Sequence, residues 1–198
     1  VIPTCPYCNK TFILNLVPME TTPLPKQELE LFKQLKDLKV IFDVGARDDT
    51  EYLELWPDSE HHLFEPNPLF FKDLESKVKD KPNVFANNFG LGDKIETREY
   101  QDGRQAFIGS ESLADGNVGD RILNLTTLDD YTQKKGIKSI DFLKIDTEGF
   151  DFKILLGGIE TLKITRFLQY EHWNDKKQFH DLLENDFDME YIGYRNVL

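Results

Sequence analysis

Leu38-Lys-Val-Ile-Phe-Asp-Val44, closed by Gly45, is a short apolar run that reads as a buried strand. Upstream of it, Leu31, Phe32, Leu35 and Leu38 fall at helical spacing in a segment that is otherwise charged. Downstream, His61-His-Leu-Phe64 is a second apolar run, and Asn67 with Pro68 opens a helix whose Phe70, Phe71, Leu74 and Val78 share one face. The same rhythm continues with a strand over 84–87, a polar helix over 126–135 stopped by Gly136, and a strand over 140–145. A helix over 151–159, a strand over 166–170 and a helix over 174–185 complete it. Strands that alternate with helices predict an α/β fold with a parallel sheet covered on both faces. Residues 94–125 fit poorly and read as one strand followed by a loop containing Gly and Ser.

The 198 residues carry 36 acidic and 24 basic side chains, a formal net charge of −12. That length favours one domain with a substantial core, and 39% hydrophobic residues exclude a disordered chain. Nucleic acid is not expected as a partner, because phosphate binding needs clustered Lys and Arg. No apolar run approaches the ~20 residues of a membrane span, and no secretory signal is visible, so a cytoplasmic protein is expected. Residues 1–25 differ in character, with Pro18, Pro23 and Pro25 marking an extended arm ahead of a domain over 26–198. Val1 is not an initiator Met, which leaves room for sequence upstream.

In a sheet of this kind ligands bind outside the carboxyl ends of the strands, so the polar residues that end each strand matter most. They are Asp43-Val-Gly-Ala46, Glu65, Asn87-Asn88, Asp146-Thr-Glu-Gly149 and Glu171-His172. Glu65 follows Gly45 at the ~20-residue offset where an acid meets a nucleotide ribose. A carboxylate accepts two hydrogen bonds at once, which suits a vicinal diol. A nicotinamide cofactor fits badly: Gly45-Ala-Arg-Asp-Asp-Thr50 lacks the second and third glycines of the dinucleotide fingerprint. Asp43, Asp48 and Asp49 would also repel a pyrophosphate. S-adenosylmethionine shares the adenosine but carries a sulfonium and an ammonium, which acidic strand ends favour.

Val40-Ile-Phe-Asp-Val-Gly-Ala46, Phe64-Glu-Pro-Asn-Pro68, Asn88-Phe-Gly-Leu-Gly-Asp93, Thr127-Leu-Asp129 and Leu143-Lys-Ile-Asp-Thr-Glu-Gly149 occur in that order. With Gly157-Gly-Ile-Glu-Thr-Leu162 and Tyr170-Glu-His172, this pattern resembles the FkbM-type S-adenosylmethionine-dependent methyltransferases. The resemblance implies a class I methyltransferase fold, a Rossmann-like three-layer sandwich whose mostly parallel seven-stranded sheet has an antiparallel last strand. It implies O-methylation of a hydroxyl on a sugar, glycan or small natural product. It places Asp43, Gly45 and Ala46 at the methionine portion of the cofactor, Glu65 at the ribose, and Asn88 and Phe89 at the adenine. Asp146 and Glu148 would border the transfer site. The chain departs from the pattern at Arg47-Asp48-Asp49, where many members keep a glycine.

His172 is a further candidate base, with a histidine held by local hydrogen bonds as the competing account. His61 and His62 begin their strand, far from its carboxyl end, and are expected to be structural. Asp129 and Asp130 are expected to be solvated on their helix, and Trp56, Phe70 and Phe71 to be core. Mg²⁺ held by Asp146 and Glu171 is a variant that hard oxygen ligands allow. Cys5-Pro-Tyr-Cys8 looks like one knuckle of a zinc ribbon, but a closed site needs four ligands and no second Cys pair exists, so an unmetallated arm is preferred. Zinc shared across a dimer is the other possibility; the oligomeric state is open. A catalytically inactive binding or assembly module with this fold is the alternative function.

Overall fold

The computed structural model describes residues 32–100, 121–147, 149–172, 176–188 and 196–197. The arm with Cys5 and Cys8, and Glu148, lie outside these residues. The main sheet has six strands in the order β3-β2-β1-β7-β8-β9. They are β1 (Val40–Val44), β2 (Glu60–Phe64), β3 (Val84–Asn87), β7 (Ile140–Ile145), β8 (Thr165–Glu171) and β9 (Asn196–Val197). The first five pair in parallel, and β9 runs antiparallel to β8 at the edge. Among the described residues this is one strand fewer than the seven expected. A second sheet, β4-β6-β5, consists of β4 (Gly90–Leu91), β5 (Glu96–Tyr100) and β6 (Arg121–Thr126).

Successive side chains of a strand point to opposite faces, so the register sorts the core. Phe42 and Val44 of β1 align with Leu143 and Ile145 of β7. This face packs on α3 (Leu128–Lys135), α4 (Asp151–Leu156), α5 (Ile159–Leu162) and α6 (Lys176–Leu183) through Leu128, Tyr131, Ile154, Leu162 and Phe179. On the opposite face, Ile41 and Phe142 pack against Phe32, Leu35, Leu38 and Tyr52 of α1 (Tyr52–Leu55). Leu74 and Val78 of α2 (Pro68–Val78) cover Ala46 and Leu63 on another patch. Asn67 caps α2 by accepting from the Leu69 N–H at 2.9 Å. Phe70 and Phe71 are half-buried instead of core, and Trp56 packs at the edge of the cluster around Phe32.

The strand β6 lies in the stretch expected to be a loop. Its Leu123 and Leu125 are buried, but Ile122 is 70% exposed, and that apolar residue on the outer face blurs the alternation. The helix expected over 126–135 starts at Leu128, after Thr126 has ended β6. The helix expected over 151–159 is broken into α4 and α5 by Gly157 and Gly158. A Cβ on Gly157 would lie 2.0 Å from the Gly92 carbonyl oxygen, so only glycine permits this approach.

Asp129 and Asp130, expected in solvent, have structural partners. Asp130 accepts from the Thr126 hydroxyl at 2.7 Å. Asp129 accepts from the N–H groups of Glu160 (3.1 Å) and Thr161 (2.7 Å) and from the Thr161 hydroxyl (2.7 Å), fixing the start of α5. Removing such a cap costs about 0.5–2 kcal/mol. Asp129→Ala is therefore expected to lower the urea-unfolding free energy by ~1–2 kcal/mol with the far-ultraviolet spectrum unchanged, and Asp129→Asn by less. An unaltered midpoint in Asp129→Ala would contradict the cap.

Candidate active site

Strand order reverses between β1 and β7, and the carboxyl ends of these strands meet there. Gly45 turns the chain away from β1 with φ +84°, and a Cβ at this position would stand 2.0 Å from the Asp146 carbonyl oxygen. The turn is tied to β2: the Phe64 carbonyl accepts from Gly45 N–H (3.0 Å) and Ala46 N–H (3.1 Å). Arg47 follows with φ +56°, a conformation that costs an L-residue about 1–2 kcal/mol. Two contacts hold it there. Its N–H donates to Glu65 Oε2 at 3.0 Å, and its guanidinium stands 4.8 Å over the Phe70 ring.

Glu65 is buried at the end of β2. Its other carboxylate oxygen, Oε1, accepts from the Asn67 N–H at 2.7 Å. Burial pushes its carboxyl above the ordinary range, against the pull of these two backbone donors. Asn88 donates through Nδ2 to the carbonyls of Glu65 (2.8 Å) and Pro66 (3.2 Å), so it steadies the segment that carries the acid. Phe89 stands edge-on to Phe64 with ring centroids 5.9 Å apart. With Val44, Gly45, Pro66, Leu91, Thr147 and Phe150, these rings line a small apolar cleft.

One row of the sheet carries charge into the interior. Asp43 aligns with Lys144, which aligns with Gln169, so the three occupy adjacent strands at one level. Asp43 is 2% exposed and its Oδ1 lies 2.9 Å from Lys144 Nζ. The same ammonium donates to the Gly45 carbonyl at 3.1 Å and lies 3.9 Å from Asp146 Oδ2. Burial opposes its charge, but Asp43 and Asp146 outweigh burial and hold the lysine above its ordinary range. Asp146 itself is exposed at the mouth. Lys144 was legible only as a polar residue in an apolar strand, and the register shows what it serves.

Asp151 also escaped the sequence. It is buried in the first turn of α4, where Oδ2 accepts from the Thr147 N–H (3.1 Å) and hydroxyl (2.6 Å) and Oδ1 from the Glu171 N–H (2.9 Å). It thereby joins the ends of β7 and β8. His172 is buried beside Phe179, ring centroids 6.4 Å apart, so the structure does not bring it to the open mouth with Asp146. His61 and His62 are held inside: His61 Nε2 lies 2.8 Å from the Trp56 carbonyl, and His62 Nδ1 lies 2.7 Å from the Tyr131 hydroxyl. Among the described residues, the group of three with metal-ligand spacing is His180, Asp181 and Glu184, exposed at the carboxyl end of α6 and separate from Asp146 and Glu171.

A parallel sheet in this order, closed by an antiparallel edge strand and opening on a cleft at the switch point, is the class I methyltransferase fold. The crystal structure of the FkbM methyltransferase from Methylobacillus flagellatus KT superposes with a TM-score of 0.57 at 14% identity, covering 79% of this chain and 40% of that one. The chain thus spans less than half the length of that structure. Residues 43–195 match the methyltransferase FkbM domain model, and the chain belongs to that family. It is 22% identical over 179 residues to the 2-O-methyltransferase NoeI of Sinorhizobium fredii, covering 78% of this chain and 73% of that protein. Among the described residues no helix is long and apolar enough to cross a membrane.

Asp151 gives the site a pH dependence whose sign is fixed. Burial raises its carboxyl from 3.8 to about 7, with the Thr147 and Glu171 hydrogen bonds opposing and the charge of Asp146 adding to the rise. Between those values the native state holds a proton that the unfolded chain has released. This contribution to stability is complete below 3.8 and is lost as pH rises through about 7. Urea unfolding from about pH 5 to about pH 8 should therefore show a shallower fall in stability for Asp151→Asn than for wild type. Glu65, shifted in the same direction, retains part of the slope. Parallel curves for the two proteins would refute the assignment.

Proposed function

We propose that the chain is an S-adenosylmethionine-dependent O-methyltransferase acting on a hydroxyl of a sugar, glycan or small natural product. The observation that carries this is Glu65, an acid fixed at the end of β2 beside the aromatic cleft, in a chain of the FkbM methyltransferase family. The 2-O-methyltransferase named above supports a hydroxyl acceptor.

The residues fit the donor. Each Glu65 oxygen accepts one backbone N–H and keeps a lone pair for a ribose hydroxyl. Pro66 and Phe89, both partly exposed beside Glu65, offer an apolar surface for a flat base. At the other end the exposed Asp146 complements positive charge. When bound, S-adenosylmethionine supplies a methyl group on a positively charged sulfur.

The chain's own part is binding, orientation and proton handling. Gly45, Ala46 and Asp43 shape the end of β1 where the methionine portion is placed, and Asn88 and Phe89 lie on the adenine side. Orientation of a hydroxyl against the methyl carbon supplies much of the rate in such transfers. Asp146 takes the hydroxyl proton, with Glu148, two residues further along the sequence, as a second carboxylate. Buried His172 packs against Phe179 and is the weaker candidate for a base.

Calorimetric titration with S-adenosylhomocysteine tests the donor site. Micromolar-range binding is expected, weakened by ~1.5–3 kcal/mol in Glu65→Ala through loss of charge-assisted bonds. Equal affinity would sink the ribose assignment, and no binding by wild type would favour an inactive module with this fold. Single-turnover methyl transfer, with acceptors screened among sugars and hydroxylated metabolites, tests the proton acceptor. Asp146→Asn should slow it by at least ~10², and His172→Ala by less. Full activity in Asp146→Asn would show that positioning alone drives transfer.

A further inference from the structure

The peptide that joins Gly45 to Ala46 is held at both ends. Its N–H donates to the Phe64 carbonyl of β2 at 3.1 Å, and its carbonyl accepts from Lys144 Nζ of β7 at 3.1 Å. A glycine flanks this peptide, and without a Cβ such a unit rotates with little steric hindrance. Rotation would turn the carbonyl away from Lys144 and displace the Ala46 N–H from Phe64. It would also disturb Arg47, whose N–H is the link from the turn to Glu65. The ammonium is the one side-chain donor to this carbonyl among the described residues, and it holds the turn from the β7 side while Phe64 and Glu65 hold it from the β2 side.

The lysine is itself constrained. Asp43 Oδ1 lies 2.9 Å away and is buried, so the ammonium cannot leave without stranding a charge. Breaking a buried pair by removing one partner is strongly destabilising, whereas replacing both with neutral groups of similar volume is often tolerated. Stability alone thus gives little reason to keep a charged pair at this level of the sheet. Its placement does: Nζ reaches the carbonyl of the turn and lies 3.9 Å from the Asp146 carboxylate.

We propose that Lys144 is a positioning residue that locks the Gly45–Ala46 peptide and steers Asp146, so that the turn after β1 and the carboxylate after β7 are preset for the donor's methionine end. This rests on the donor assignment made above. Lys144 acts through the Gly45 carbonyl and the Asp146 carboxylate. Its loss should raise the KM for the donor more than it lowers kcat.

Three forms of the protein decide it: wild type, Lys144→Arg, and the double variant Asp43→Asn with Lys144→Met. The double variant removes both charges together, so its fold is expected to persist, as judged by its urea midpoint. In the ligand-free protein, hydrogen exchange at the Ala46 amide should then be at least about tenfold faster than in wild type, with Ile41 and Phe42 unchanged. Affinity for S-adenosylhomocysteine should fall at least about tenfold, and Lys144→Arg should recover part of both. Wild-type exchange and wild-type affinity in a folded double variant would overturn the lock. Should that variant not fold, the wild-type ammonium itself is read by nitrogen-15 NMR. A slowly exchanging signal coupled to the Gly45 carbonyl supports the lock, and a freely rotating one overturns it. Absence of S-adenosylhomocysteine binding by wild type overturns the function proposed above and removes the lock's role toward a donor. The Ala46 exchange rate still decides whether the lock exists.

Discussion

The carboxyl edge of the sheet depends on how closely β1 and β7 end beside each other. Asp146 N–H donates to the Val44 carbonyl at 3.0 Å, the last rung between the two strands. One residue further on, Gly45 faces the Asp146 carbonyl with room for a hydrogen and nothing larger. A side chain there would part the strands at the point where sheet order reverses, and the cleft lies at that point. Lys144 depends on the same approach, since only with the strand ends together does its ammonium reach both Asp43 and the Gly45 carbonyl.

From the other side the turn is held by β2. The Phe64 carbonyl takes two N–H groups of the turn, and Glu65 takes a third while it also accepts from Asn67. Asn88 closes the arrangement by donating to the carbonyls of Glu65 and Pro66. Glu65 is thus oriented before any ligand arrives, and such preorganisation spares the cost of reordering on binding. It also explains how Arg47 stands where a glycine is common. Its left-handed backbone is offset by a charge-assisted bond to Glu65 and by stacking on Phe70.

The strands were legible because a parallel sheet buried on both faces leaves continuous apolar runs, as in Ile140-Asp-Phe-Leu-Lys-Ile145. The polar strand ends were legible for the same reason, since a carboxylate or amide that ends such a run stands out. What stayed hidden was pairing. Nothing local shows that Lys144 lies level with Asp43, because that depends on the register of two strands about a hundred residues apart. Asp151 looked like the first residue of a helix, and its bond to the Glu171 N–H is purely tertiary. Asp129 looked solvated for the corresponding reason: its donors belong to a helix that the sequence had merged with the one before. The strand β6 was lost because Ile122 faces outward.

Several of the family's short motifs turn out to build the wall of the cleft without touching its chemistry. Thr127 caps α3, and Asp129 fixes α5. Gly157 brings α4 and α5 against the carbonyl of Gly92, the glycine that ends Asn88-Phe-Gly-Leu-Gly92. These contacts set the spacing between Phe89 and Leu91 on one side and Phe150 and Ile154 on the other, all of which line the cleft. A wall fixed by backbone contacts has little freedom to adapt, so any change of its shape must enter through elements that reach it from outside. One such element is β5, whose Arg98 guanidinium stands 5.5 Å over the Phe150 ring. Through Arg98, β5 reaches the edge of the cleft from the second sheet.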